Sequence, residues 1–234
     1  MTEHLPFKLG ISQTFSCSYL ANENERLLVV LEDSFYTPNG FEHLLAMGFR
    51  RSGDQIYRPH CPSCNKCIAI RLDPNSINLS RSQKRLVNKT KSFTVRYSPF
   101  PKDEYFALYT RYINERHIDG AMYPANYEQY NSFLACAWLP ITYLELHDND
   151  KLIAVAVTDT LPNSLSAIYT FFDPDYADFS LGTLMVLKQV ELAKKQNKSF
   201  IYLGYYIAEC DKMNYKTRFL PHQKLLKHGW LEQI

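Results

Sequence analysis

The chain has 234 residues, 46% of them apolar, and a net charge of +2. That length fits one large domain or two small ones, and that apolar fraction excludes global disorder. No apolar run approaches the roughly 20 residues that a membrane-spanning helix needs, which excludes a helical membrane protein.

Met1–Pro6 lacks a basic segment followed by an apolar one, so a soluble, cytoplasmic protein with no membrane partner is expected. The six cysteines are then reduced thiols or ligands rather than disulfides. Residues 12–26 are polar and read as irregular. Leu27–Leu31 is a short apolar strand, and Pro38–Met47 a helix stopped by Gly48. Residues 50–58 read as a strand pair edge. The cysteine loop Cys61–Cys67 follows, then a strand over Ile68–Leu72. Ser80-Arg-Ser-Gln83 is a capping box that opens a basic helix over Arg81–Lys89. Phe93, Val95 and Tyr97 alternate as a strand, and Ser98-Pro-Phe-Pro101 reads as a linker. Tyr105, Leu108, Tyr109, Tyr112 and Ile113 recur at helical spacing, which predicts a helix over 102–117. A second helix is expected over 127–138, with Cys136 in its core face.

Strands over 142–147 and 151–159 flank the hairpin signal Asp148-Asn-Asp150, and a third strand covers 165–172. Phe179-Ser-Leu-Gly182-Thr183 turns the chain into a helix reaching Lys195. Phe200–Ile207 is a further strand, ending in Tyr205 and Tyr206, and a short helix closes the order. The predicted class is α+β. A small, basic, Cys-bearing N-terminal α+β domain (1–98) precedes a GNAT-type N-acyltransferase domain (99–234) with a mixed central sheet.

Charge is unevenly spread. Between Arg50 and Arg111 there are 13 Lys and Arg against 4 Asp and Glu, the footprint of a polyanion partner. Arg81, Lys84, Arg85 and Lys89 share one helix face, and a phosphate backbone would neutralise them. The bland alternative is a solvated basic face. Cys61-Pro-Ser-Cys64-Asn-Lys-Cys67 sets three thiols at a spacing that lets sulfurs converge on one ion, with Cys17 or His60 as a fourth ligand. Zinc or an iron–sulfur centre is one reading; a metal-free packing loop is the other. The start of the 183–195 helix, with Gly182 and Thr183, offers free N–H groups to a phosphate or an oxyanion. Asp173, Asp175 and Asp178 just before it make a poor approach for the pyrophosphate of CoA.

Several stretches together resemble one family. They are Cys17-Ser-Tyr-Leu20, Gly48-Phe-Arg50-Arg51, Tyr57-Arg-Pro-His60-Cys61, Ser80-Arg-Ser-Gln83, Arg116-His-Ile-Asp-Gly-Ala-Met-Tyr-Pro124, Val155-Ala-Val-Thr-Asp159, Leu165–Pro174, Ser180-Leu-Gly182, Tyr202-Leu-Gly-Tyr-Tyr206 and Lys212-Met-Asn-Tyr-Lys216. In order and along nearly the whole chain, they resemble the bacterial aspartate/glutamate leucyltransferases, relatives of the eukaryotic arginyl-tRNA–protein transferases. Leu20 stands where the eukaryotic relatives complete a Cys-x-x-Cys.

The resemblance implies that leucyl-tRNA donates leucine to the N-terminal amine of proteins beginning with Asp or Glu, marking them for proteolysis, with no cofactor required. In that reading Asp159, Tyr169, Tyr205 and Tyr206 line the reaction centre. Asp159 holds an ammonium, and the tyrosine hydroxyls meet the terminal ribose; core packing is the alternative for each tyrosine. Arg81, Lys84, Arg85, Lys89, Gly182 and Thr183 hold tRNA. Arg116, His117, Lys212 and Lys216 are candidates for the acidic side chain of the acceptor. Arginyl transfer, an acyl-CoA N-acyltransferase and a noncatalytic RNA-binding module remain open alternatives.

Overall fold

The computed structural model describes residues 7–234, so the Met1–Pro6 segment read above for targeting signals lies outside the described residues. The N-terminal part holds β1 (Leu9–Ile11), β2 (Phe15–Ser16), β3 (Asn24–Glu25), β4 (Leu27–Val30), α1 (Pro38–Ala46), β5 (Arg50–Ser52) and β6 (Gln55–Pro59). Four of its strands form an antiparallel sheet in the order β1-β4-β6-β5. The stretch expected to be irregular carries only the two-residue strands β2 and β3. Helix α1 starts where Thr37 accepts a bond from the Gly40 amide and Pro38 presets the first turn. It ends at Gly48, whose φ of 84° suits a residue without a Cβ. Its buried face, Phe41, Leu44 and Leu45, shares one core with Leu139, Leu161 and Tyr202 of the larger sheet.

That larger sheet has eight strands. In chain order the elements are β7 (Ile68–Leu72), α2 (Arg81–Lys89), β8 (Thr94–Ser98), α3 (Asp103–Arg116), α4 (Tyr127–Leu134), β9 (Ile141–Asp148), β10 (Lys151–Thr160), β11 (Ser164–Phe172), α5 (Leu181–Lys195), β12 (Phe200–Tyr206), α6 (Asp211–Asn214), β13 (His222–Leu226) and β14 (Gly229–Gln233). The strand order is β14-β13-β7-β12-β11-β10-β9-β8, antiparallel throughout except for the β11–β12 pair. Alternation along β10 builds both faces. Ala154 and Ala156 pack with Leu184, Met185 and Leu187 of α5. Val155 and Val157 pack with Tyr105, Tyr109 and Tyr130 of α3 and α4.

A mixed α+β fold, with a small N-terminal sheet followed by a mixed central one, is as expected. The expected division at residue 98 does not separate the two sheets. β7 lies between β13 and β12, and β8 pairs with β9 at the sheet edge, so both strands belong to the central sheet. Ser98–Pro101 merely joins β8 to α3. Helix α4 also ends earlier than expected. Ala135 turns extended, and the Ala137 amide and Trp138 indole bond Asp54 instead, drawing the chain onto the β5–β6 hairpin. Cys136 is therefore half-buried beyond the helix, not on its core face.

The parallel pair opens after three residues. Ser164–Ser166 registers with Phe200–Tyr202, and then β11 and β12 diverge. Each strand carries an irregularity at that point. Ile168 is skipped in the β10 register, and Leu203 in the β7 register. Bulges bend the strand and increase its twist, which separates the two edges. The result is a fork with α5 leading out of one arm and into the other, the arrangement expected of a GNAT-type acyltransferase.

Candidate functional site

A strand edge without its partner exposes carbonyls that need donors. At this fork, two buried cations supply them. Arg50, carried in on β5, donates from Nη1 to Ser166 Oγ at 3.0 Å and from Nη2 to the Ala167 carbonyl. It packs beside Gly204 of β12, whose φ of 85° is what favours glycine there; an added Cβ would meet Arg50 Nε at an ordinary 3.5 Å. On the other arm, Lys216 Nζ donates to the Tyr205 carbonyl at 2.5 Å and also contacts Met213 Sδ at 3.4 Å. Both partners of each cation are uncharged. Burial, then the Arg50 charge, lowers the Lys216 pKa to about 7.

The neighbouring residue, Arg51, enters a different site. Its Nε reaches both oxygens of Asp159, at 3.0 and 2.9 Å, and its Nη2 reaches Oδ1 at 2.5 Å. The remaining donors go to the Gly53, Leu134 and Ala135 carbonyls. Both side chains of the pair are 0% exposed. Burial raises the Asp159 carboxyl above its usual range, and Arg51 works against that. The expected role of Asp159 as holder of a substrate ammonium is therefore corrected: its oxygens are taken and sealed from solvent.

The tyrosines divide. Tyr205 is buried, and its hydroxyl donates to the Gly48 carbonyl at 2.8 Å, pinning the end of α1 to β12. That corrects its expected contact with a ribose. Tyr169 is half-buried among Tyr109, Tyr112 and Phe133 beside the Ile168 bulge, and burial raises its pKa. Tyr206 is half-buried at the tip of β12, with Lys224 Nζ 4.2 Å from its ring centre. These two keep positions from which a substrate in the fork could be met.

Three of the four expected acceptor cations come together. Arg116 ends α3 with its guanidinium 5.3 Å from the Phe172 ring, and His117 follows with its ring 4.7 Å from Tyr112. Lys212 approaches from α6. Burial, then the charges of Lys212 and Arg116, hold the His117 imidazole below its ordinary pKa. His117 Nε2 is buried with no hydrogen-bond partner among the described residues. Lys216 does not join them; it belongs to the fork.

Residues 15–85 match the N-terminal part of the arginine-tRNA-protein transferase family, and residues 104–226 match its C-terminal part. The aspartate/glutamate leucyltransferase of Aeromonas hydrophila is 50% identical over 98% of this chain and 97% of its own length. That of Shewanella putrefaciens is 52% identical over 96% of this chain and 95% of its own. The chain belongs to the aspartate/glutamate leucyltransferase family. Among solved structures, FemX superposes with a TM-score of 0.47 at 9% identity, covering 88% of this chain and 81% of that one.

The basic helix of this leucyltransferase-family chain faces outward. Arg81, Lys84, Arg85 and Lys89 are all exposed, while Gln83 turns inward and donates to the Arg218 carbonyl. Both halves of the capping box form. Lys89 Nζ donates to the Asp178 carbonyl at 3.1 Å and lies 4.4 Å from the Phe179 ring centre, tying the helix to the loop that starts α5. Gly182 and Thr183 are half-buried in the first turn of α5, which follows Ser180 with no side-chain cap. The acidic approach is partly neutralised: Asp173 meets Arg111 at 2.9 Å and Lys151 at 2.8 Å, and Asp175 meets Arg111 at 3.3 Å. The acidity held against CoA above therefore loses part of its force.

The sulfurs of the leucyltransferase loop share a neighbourhood. Cys61, Cys64 and Cys67 line a cavity of about 240 Å³ with Pro59, His60 and Asn65. Burial, then Cys61, Cys17 and Cys64, push the Cys67 thiol up to about 12. Among the described residues, no three His, Cys, Asp or Glu side chains are set to hold a metal ion. Cys17, Cys61, Cys64 and Cys67 are the thiols that would hold an ion here, and no chemical step is assigned to one.

Sequence reasoning missed Arg50 and Arg51 as site residues. Both stood in a motif of the resemblance, but an arginine is usually exposed, and nothing in the spacing says that these two face inward.

Proposed function

We propose that this chain transfers leucine from leucyl-tRNA to the α-amine of proteins whose first residue is Asp or Glu, marking them for degradation. The observation that carries this reading is near-full-length identity of about half to proteins of that description. Features of the geometry support it. The exposed face of α2 suits the phosphate backbone of the tRNA, and the start of α5 suits its acceptor end. The fork, beside the bulge at Ile168, receives the ester. Arg116 and Lys212, with the neutral imidazole of His117 near them, are the groups offered to the acceptor's carboxylate, and the Nε2 of His117 has no partner among the described residues.

An ester becomes an amide, so the reaction runs downhill and requires no cofactor. Alignment of the amine and the carbonyl supplies roughly 7–11 kcal/mol of the barrier. No described helix is long and apolar enough to cross a membrane. The soluble tRNA donor argues for a cytoplasmic protein.

The test is a transfer assay with radiolabelled leucyl-tRNA, arginyl-tRNA in parallel, and peptides starting with Asp, Glu, Arg or Ala. Leucine on the Asp and Glu peptides alone is expected. Arginine transfer would move the chain to the arginyl branch, and acetyl transfer from CoA with neither aminoacyl-tRNA active would overturn the reading. The double variant R116A/K212A is expected to lose the preference for acidic N-termini; full preference would remove both residues from the site.

A further inference from the structure

The fork holds two buried cations; Arg50 reaches a buried carboxylate only through Ser166, whose hydroxyl accepts from Arg50 and donates to Asp159 Oδ2 at 3.4 Å. The nearest carboxylate, Asp159, is engaged by Arg51 one strand away. Among the described residues, Arg50 bonds only a hydroxyl and a carbonyl, and Lys216 only a carbonyl and a thioether. A lysine buried beside Arg50, with only a carbonyl and a thioether on its Nζ, is costly to keep charged, and the cheaper state is the neutral amine. A guanidinium does not give up its proton in proteins, so the neutral partner is the lysine. Its Nζ lies on the arm of the fork that β11 has left, bonded to the Tyr205 carbonyl three residues beyond the last registered pair. A neutral amine keeps a hydrogen for that carbonyl and has a lone pair with which to take a proton.

We propose that Lys216 is a catalytic residue of the leucyl transfer, taking the proton of the attacking α-amine and returning it to the departing ribose oxygen. The inference rests on the leucyl-transfer reading. As the acceptor nitrogen bonds to the ester carbon, its proton passes to Lys216 Nζ. When the carbon–oxygen bond to the tRNA breaks, the same proton passes to the ribose oxygen. The products are an amide and a tRNA with a free hydroxyl, and Lys216 ends neutral, as it began. Arg50 is the positioning residue: it occupies the facing arm and keeps the lysine uncharged, as a cation beside an amine activates it elsewhere. The groups that face Lys216 are few. They are Arg50 from β5, Cys210 ahead of α6 and Cys67 ahead of β7. Met213 of α6 and the Tyr215 ring complete its surroundings. The pKa of about 7 agrees with an amine that works near neutrality.

The experiment is a pH–rate profile of leucine transfer in single turnover, for the wild type, K216R and K216M. K216R keeps a donor for the Tyr205 carbonyl but stays charged. The wild type is expected to lose rate on the acid side of about pH 7, and this limb should stay in place when the acceptor amine is made less basic by an electron-withdrawing substituent. K216R and K216M are each expected to be slower by at least about a hundredfold, with that limb gone, while still binding leucyl-tRNA. Wild-type rates in K216R with the limb intact would overturn the proposal, as would a limb that moves with the acceptor's amine. Failure of the wild type to transfer leucine at all would instead sink the reading on which the proposal rests.

Discussion

Asp159 shows how a residue can be legible and misassigned. A carboxylate on an apolar strand reads as functional because burying one is expensive. The partner that offsets the cost, Arg51, lies 108 residues away and could not be paired with it by spacing. With Arg51 in view, Asp159 becomes a bolt between the two sheets. Asp159→Asn would leave the guanidinium buried without its counter-charge. The expected loss is about 3–5 kcal/mol of stability, read from the midpoint of urea unfolding. A variant as stable as the wild type, with transfer abolished, would restore the substrate-holding role. The same distance problem hid Arg50 and separated Lys216 from the other candidate cations, whereas His117 and Arg116, adjacent in sequence, stayed together.

At the scale of the elements, helices with clear punctuation were readable. α2 is the best case: Ser80 and Gln83 cap it reciprocally, and its bounds fall where the capping box and the basic run place them. Among the described residues, its charged face bonds another element only through Lys89. Lys84→Glu with Arg85→Glu should therefore leave the fold intact and weaken tRNA binding. The slope of log affinity against log salt should fall by about one for each phosphate that is no longer neutralised. An unchanged slope would take α2 out of the tRNA interface. The β13–β14 hairpin was not readable, because its strands mix charged and apolar residues without strict alternation and its turn residue, Gly229, follows no recognised dipeptide signal. β7 was read as a strand within the N-terminal domain, while it pairs with β12 and β13 of the central sheet, since a strand's neighbours are not written in its own residues.

The whole molecule is held together across the point where composition suggests a break. Ser98-Pro-Phe-Pro101 has the residues of a linker, and Phe100 is 72% exposed, yet the sheet runs through on both sides of it. Without residues 7–98, β12 and β13 would lose β7 between them, β9 would lose its edge partner, and the fork would lose Arg50. A fragment spanning 99–234 is therefore expected to show no cooperative melt. The exposed loop itself carries little of the fold, so fragments 1–98 and 99–234 made together should associate and recover leucine transfer. Co-purification followed by a thermal melt of the pair decides this. A cooperatively folded 99–234 fragment on its own would mean that the fork closes without β7 and the two arginines of β5. The N-terminal sheet would then be an appendage. If the fragments fold only together, the N-terminal sheet is part of the catalytic architecture, because it delivers one of the two cations that face each other across the open strands.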